Sequence, residues 1–155
     1  MSISDPKAAE KDGLCEIVRS CSVCRIAMAK DNVPYVVPMS FGFTYESRIL
    51  TLYFHCAKEG KKIDFLKQNP VVCFEMDSSA KIIEAREACG YGFSYQSVIG
   101  TGKAEFVSNE DEKINALKHI MFHYTGKTDF EFSKAAVDKT LVFKVISEDY
   151  TVKRK

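Results

Sequence analysis

Apolar and polar positions change period along the chain, and each change marks an element. Leu14, Ile17 and Val18 recur at helical spacing within residues 12–20 and predict a short helix. Residues 23–29 then read as a strand, followed by a turn over residues 30–34 in which Asp31 and Asn32 supply the bend. Residues 35–44 are rich in β-formers but contain Pro38. A proline removes one ladder donor and suits a barrel edge or a bulge. A third strand is predicted over residues 49–55, its alternation turning Leu50, Leu52 and Phe54 to the core and Thr51, Tyr53 and His55 away from it.

A helix follows over residues 59–69, with Ile63 and Leu66 on one face and Asn69-Pro70 stopping it. Residues 71–76 form a compact apolar strand. Residues 77–92 mix charge with glycine and read as a loop or a short irregular strand. The long strand over residues 94–106 places Gly100, Gly102 and Ala104 on one face, which lets another surface approach the backbone. A second helix is predicted over residues 109–124, capped by Ser108 or Asn109, with Ile114, Leu117, His119, Ile120 and Met121 on its apolar side. Strands over residues 141–146 and 150–153 close the chain. Six or seven strands with two helices between them predict a barrel or a sandwich, and the pattern alone does not choose.

Composition narrows the function. A chain of 155 residues, 46% hydrophobic, makes one domain over residues 1–155 with a full core. A net charge of +1 gives no reason to expect a nucleic-acid or anionic-membrane partner. No apolar run is long enough for a membrane helix. Residues 1–12 are too polar for a signal peptide, so a cytoplasmic protein is expected, its six cysteines reduced. Cys21 and Cys24 form a C-x-x-C that could pair with His119 and His123, one helical turn apart, to hold zinc. That pairing fails on spacing: the histidines lie about 95 residues downstream, against roughly 12–15 in a finger. The motif also runs directly into a strand. Buried or edge thiols, and no metal, are the expectation.

The chemistry concentrates where a strand runs into a helix, at Tyr53-Phe-His-Cys-Ala-Lys-Glu-Gly-Lys-Lys-Ile-Asp-Phe-Leu66. Lys61 and Lys62 fall in the first turns of that helix, where free N–H groups and the positive end of the dipole favour phosphate. Pro34-Tyr-Val-Val-Pro-Met-Ser-Phe41 precedes it, and Tyr95-Gln-Ser-Val-Ile-Gly-Thr-Gly-Lys-Ala-Glu-Phe106 follows. These three segments, in this order, resemble the split-barrel flavin-binding family of the pyridoxamine 5'-phosphate oxidase type, in the branch related to nitroimidazole reductases. The resemblance covers nearly the whole chain, roughly residues 24–153. It implies a mainly β fold with helices, a six-stranded antiparallel split β-barrel, and a homodimer holding FMN at its interface. On that resemblance Lys61 and Lys62 contact the FMN phosphate, and His55 and Cys56 end the strand beside the cofactor. Pro38, Met39 and Ser40 belong to the strand whose backbone lies along the flavin ring. Ser97 is a polar position that reaches FMN, usually from the partner subunit. Read without the resemblance, the lysine pair is a solvated face and His55 an ordinary strand histidine. Phe41, Phe43, Tyr45 and Tyr53 read as core and dimer surface.

An FMN-dependent oxidoreductase acting on a small molecule, a nitroimidazole or other nitroaromatic among the candidates, is the expected function. The flavin carries the redox chemistry, so no protein nucleophile or base is assigned. His55 is the side chain placed to donate a proton or position substrate. The alternative is a non-catalytic flavin- or haem-binding protein, with His55, His119, His123 or a cysteine as axial ligand. A thiol-based or zinc regulator built on Cys21 and Cys24 is a further class. The tail from Glu148 to Lys155 lacks the arginine–histidine patch of true pyridoxamine-phosphate oxidases.

Overall fold

The structure is a computed structural model that describes residues 11–155; the polar stretch over residues 1–12 lies largely outside the described residues. Helix α1 (Lys11–Ser20) leads into β1 (Cys24–Lys30). Asp31 and Asn32 both take left-handed backbone angles, with φ of 51° and 61°. Two such residues make the hairpin turn whose twist matches its strands, and Lys30 accordingly pairs with Val33 at the start of β2 (Val33–Met39). The single strand predicted over residues 35–44 is in fact two. β2 stops at Met39, Phe41 turns wholly inside, and β3 (Gly42–Glu46) begins.

The chain continues through β4 (Ile49–Cys56), α2 (Lys61–Gln68), β5 (Val71–Ile83), β6 (Gly92–Val107), α3 (Glu110–Thr125), α4 (Lys134–Lys139) and β7 (Leu141–Arg154). Every pairing is antiparallel, and the strand order is β2-β1-β5-β6-β7-β4-β3. The two edge strands, β2 and β3, are joined only by Ser40 and Phe41, a link that spans roughly 10 Å at most. The sheet must therefore curl until its edges meet at that end, although no ladder joins them. That is a split barrel, with seven strands where six were expected.

Two bulges explain the remaining differences from the sequence reading. β5 carries an extra residue between Ser78 and Lys81, with Ser79 at φ 59°, and then runs on to Ile83. Past that bulge the strand leaves the core, so Ile82 and Ile83 are 68% and 52% exposed and the apolar alternation disappears. β7 is one strand and not two. Its polar pair Ser147-Glu148 bulges opposite Gly102, and the Ser147 hydroxyl donates to the Thr101 carbonyl at 2.6 Å. Helix α4, which the pattern did not predict, is capped by the Ser133 hydroxyl accepting from the Ala136 N–H.

The core follows the β4 alternation: Leu50, Leu52 and Phe54 are fully buried, while Thr51, Tyr53 and His55 are not. Phe54 stacks on Phe143 at 5.0 Å, and α1 contributes Leu14 and Val18 to the same cluster. Each such side chain stabilises the fold by about 1.5–3 kcal/mol relative to an exposed one. The surface that approaches the small-residue stripe of β6 is this core, since a Cβ on Gly100 would lie 2.4 Å from the Phe74 ring. Asn109, and not Ser108, caps α3 by accepting from the Glu112 N–H at 3.1 Å. The buried face of α3 is Lys113, Ala116 and Ile120, with Met121 only partly covered. Lys113 is tolerated there because its Nζ donates to the Val137 carbonyl at 2.6 Å. α3 lies across β3 and β4.

Candidate functional site

Gly60 decides how β4 hands over to α2. It sits at φ 144°, a region that L side chains rarely enter, and as N-cap it offers the helix no side-chain acceptor. Its carbonyl accepts from the Ile63 and Asp64 N–H groups at 3.0 and 3.2 Å. The earlier amides, those of Lys61 and Lys62, have no partner within the helix, as at any α-helix start. Two lysines and one carboxylate, Asp64, share this first turn, so its charge favours an anion.

Lys62 reaches back across the barrel end. Its Nζ lies 3.4 Å from Met39 Sδ at the end of β2, and its charge acts on His55 and Cys56 at the end of β4. Burial first, and Lys62 second, hold the His55 imidazole below its ordinary value, so the ring is neutral at neutral pH. Burial pushes the Cys56 thiol up while Lys62 pulls the other way, leaving the thiol protonated. Lys61 points its ammonium at aromatic faces, 4.3 Å from the Tyr35 ring and 5.7 Å from Phe65. Tyr35 was not among the residues expected at this site. The signal was present in the strand period, which puts Tyr35, Val37 and Met39 on one face of β2.

Of the residues the sequence singled out, Met39, His55, Cys56 and Lys62 come together, with Lys61 beside them. Pro38 and Ser40 flank Met39 and are exposed. Ser97 stands apart. It pairs with Asp77 and Lys153, whereas the β6 residue in the row of His55 and Val142 is Val107. That is about ten residues further along, roughly 30 Å of strand.

The other candidate residues are occupied structurally. His119 lies flat on Tyr53, with centroids 5.2 Å apart and planes at 8°. His123 sits 2.7 Å through Nε2 from the Cys21 carbonyl, between the rings of Phe41 and Phe43. Cys21 and Cys24 are buried free thiols, Cys21 donating to the Ile17 carbonyl at 3.2 Å, and burial raises the pKa of both. Among the described residues no group of three or more His, Cys, Asp or Glu side chains could hold a metal ion. No described helix is long and apolar enough to cross a membrane.

A family model for pyridoxamine 5'-phosphate oxidase matches residues 10–154. A Bacteroides thetaiotaomicron VPI-5482 protein provisionally assigned to 5-nitroimidazole antibiotic resistance is 34% identical to this chain. The match covers 99% of this chain and 86% of that one, with a TM-score of 0.80. Two more distant structures share the fold. An FAD- and haem-binding protein from Mycobacterium smegmatis is 16% identical over 95% of this chain and 72% of its own, with a TM-score of 0.80. A flavocytochrome from Azotobacter vinelandii is 18% identical over 94% and 67%, with a TM-score of 0.74. No curated protein is significantly similar in sequence. With its sequence matched almost end to end and its split barrel shared, the chain belongs to the pyridoxamine 5'-phosphate oxidase-like family.

Proposed function

We propose that this chain binds FMN and uses it to reduce small aromatic molecules, nitroaromatic compounds among them. The observation that carries this reading is the convergence of Lys61 and Lys62, on a helix start without a side-chain cap, with Met39, His55 and Cys56. The donor set suits a dianionic phosphate: two ammonium groups and the free amides of the first turn. A hydrogen bond to a charged group contributes about 1.5–3 kcal/mol. Tyr35 and Met39 offer apolar surface beside it, and the exposed backbone at Pro38–Ser40 can meet the polar edge of a ring. When bound, FMN supplies hydride or single-electron chemistry. The protein's own groups orient and exclude water. His55, neutral at neutral pH, donates or accepts one hydrogen bond at the edge of this cluster, and the protonated Cys56 thiol is no nucleophile. The relative provisionally assigned to 5-nitroimidazole resistance supports the substrate class. A reduced nicotinamide or similar carrier is the electron donor in this scheme.

The same reading includes a homodimer. The β5–β6 hairpin extends past its bulge as an arm exposing Ile82, Ile83, Tyr91 and Phe93 by 50% or more. The outward sheet face adds Val36, Val71 and Ile99, also exposed. Apolar surface on this scale marks an interaction site. A second copy covering it would give Ser97, two residues from Ile99, a route to the partner's cofactor. Six free thiols suit a reducing compartment such as the cytoplasm. Of the histidines that could hold haem, His123 has the Cys21 carbonyl on Nε2 and His119 lies flat on Tyr53, which leaves His55, a ring this reading assigns to the flavin site.

The test is the absorbance spectrum of the purified protein before and after FMN addition and dialysis, followed by an FMN titration of Lys61→Ala/Lys62→Ala. Retained flavin bands and a large loss of affinity in the folded double variant are expected. Unchanged affinity in that variant would remove the phosphate site, and a Soret band would replace flavin by haem.

A further inference from the structure

A cleft of about 700 Å³ opens between α1, β3 and α3, and none of its lining residues belongs to the Lys62 cluster. It lies towards the other end of β4: Glu46 on its wall pairs with Ile49, the first residue of that strand, whereas His55 is next to the last. Its size is within the roughly 300–1,000 Å³ of small-molecule sites. Flavin-dependent reduction at the Lys62 cluster makes no use of it.

Two features of the wall specify an occupant. Phe43, Tyr45 and Phe122 make it aromatic, with Phe122 45% exposed. Arg19 and Lys118 make it cationic. Neither forms an ion pair among the described residues; Arg19 lies over the Phe43 ring, 5.8 Å from its centroid, and its charge also acts on His123. Among the described residues, Glu46 is the sole carboxylate on the wall. His123 closes part of the wall with its ring packed against Phe41, Phe43 and Tyr124, and its Nδ1 is shut off from solvent.

We propose that this cleft is a second small-molecule site, taking an aromatic carboxylate. The ring fills the slot between Phe43, Tyr45 and Phe122. The carboxylate pairs with Arg19 and Lys118. A cationic ligand is repelled by Arg19 and Lys118. A polyphosphate meets Glu46 and too little polar surface, and a plain hydrocarbon leaves both cations unanswered.

Calorimetric titration of the full chain with 4-hydroxybenzoate tests this. Saturable binding of one molecule per chain is expected. Its neutral counterpart, 4-hydroxybenzyl alcohol, should bind at least about tenfold more weakly, as should 4-hydroxybenzoate to Arg19→Met or Lys118→Met, each losing a charge-assisted contact. Both cations are on exposed helix positions, so these variants should fold normally. Lys61→Ala/Lys62→Ala should leave the binding unchanged, which separates this site from the flavin site whether or not the latter is correct. Absence of saturable binding at millimolar concentration, equal binding of the alcohol, or loss only in the Lys61/Lys62 variant would each overturn the proposal.

Discussion

Gly42→Ala is the most exposing perturbation of how the fold holds its functional elements. A Cβ at Gly42 would lie 2.4 Å from the carbonyl carbon of His119 and the nitrogen of Ile120, and 2.6 Å from the His119 oxygen. Ordinary contact begins near 3.4 Å, so α3 must lift off β3 by about 1 Å, and overpacking of this kind costs about 1–3 kcal/mol. The obstacle is helix backbone, which has no rotamer to escape into, and the helix is anchored through buried Ala116 and Ile120. The upper part of that range is therefore expected, about 3 kcal/mol. At about 2–4 °C per kcal/mol for a domain of this size, the melting temperature should fall by roughly 6–12 °C. Thermal melts followed by circular dichroism measure it. The His119 ring resonances should shift too, because α3 carries that ring onto Tyr53. Gly13→Ala is the matching control. It lies in α1 with no described atom within 4 Å of the added Cβ, and should stabilise by about 0.5–1 kcal/mol. If Gly42→Ala melts at or above the wild-type temperature, the close packing of α3 on β3 is wrong.

Gly60→Ala tests the other glycine: with φ at 144° and open space around it, the cost is backbone strain of about 1–3 kcal/mol, read by chemical denaturation together with weaker FMN binding. A variant as stable as wild type would show that the α2 start does not need that conformation. His55, His119 and His123 all have folded pKa values below the ordinary 6.5. The unfolded chain therefore takes up these protons first. Their contribution is fully present above about 6.5 and is lost as pH falls below it, so urea stability should drop between about pH 7 and about pH 5.5. A rise in stability on acidification across that window would refute the buried, neutral state of these three rings. Finally, Lys62→Ala should raise the His55 pKa in an NMR titration, and so should binding of FMN or inorganic phosphate, since each removes or offsets the positive charge beside the ring. A further fall in either case would place Lys62 elsewhere.

The parts of this protein that were legible in sequence are those decided within a few residues. Alternation in β4 named its core side chains because a pleated strand sends neighbours to opposite faces, whatever it packs against. Asp31 and Asn32 tolerate left-handed backbone, which is enough to fold β1 onto β2. The Lys61-Lys62 pair at a helix start carries its electrostatic meaning locally as well. Tertiary structure alone decided the rest. The long reach of β5 to Ile83 was hidden because a strand beyond its bulge has no core to impose a period. Tyr35 meets Lys61, and Met39 meets Lys62, because α2 packs back onto β1 and the β1–β2 hairpin, residues distant in sequence. Ser97 could be marked as polar on a long strand, but its distance from His55 depends on the register of β6 against β7. The cleft between α1, β3 and α3 gathers Arg19, Phe43, Lys118 and His123 from three elements with no common spacing. Such a site is set by packing angles and not by periodicity, and no single stretch of the chain contains it.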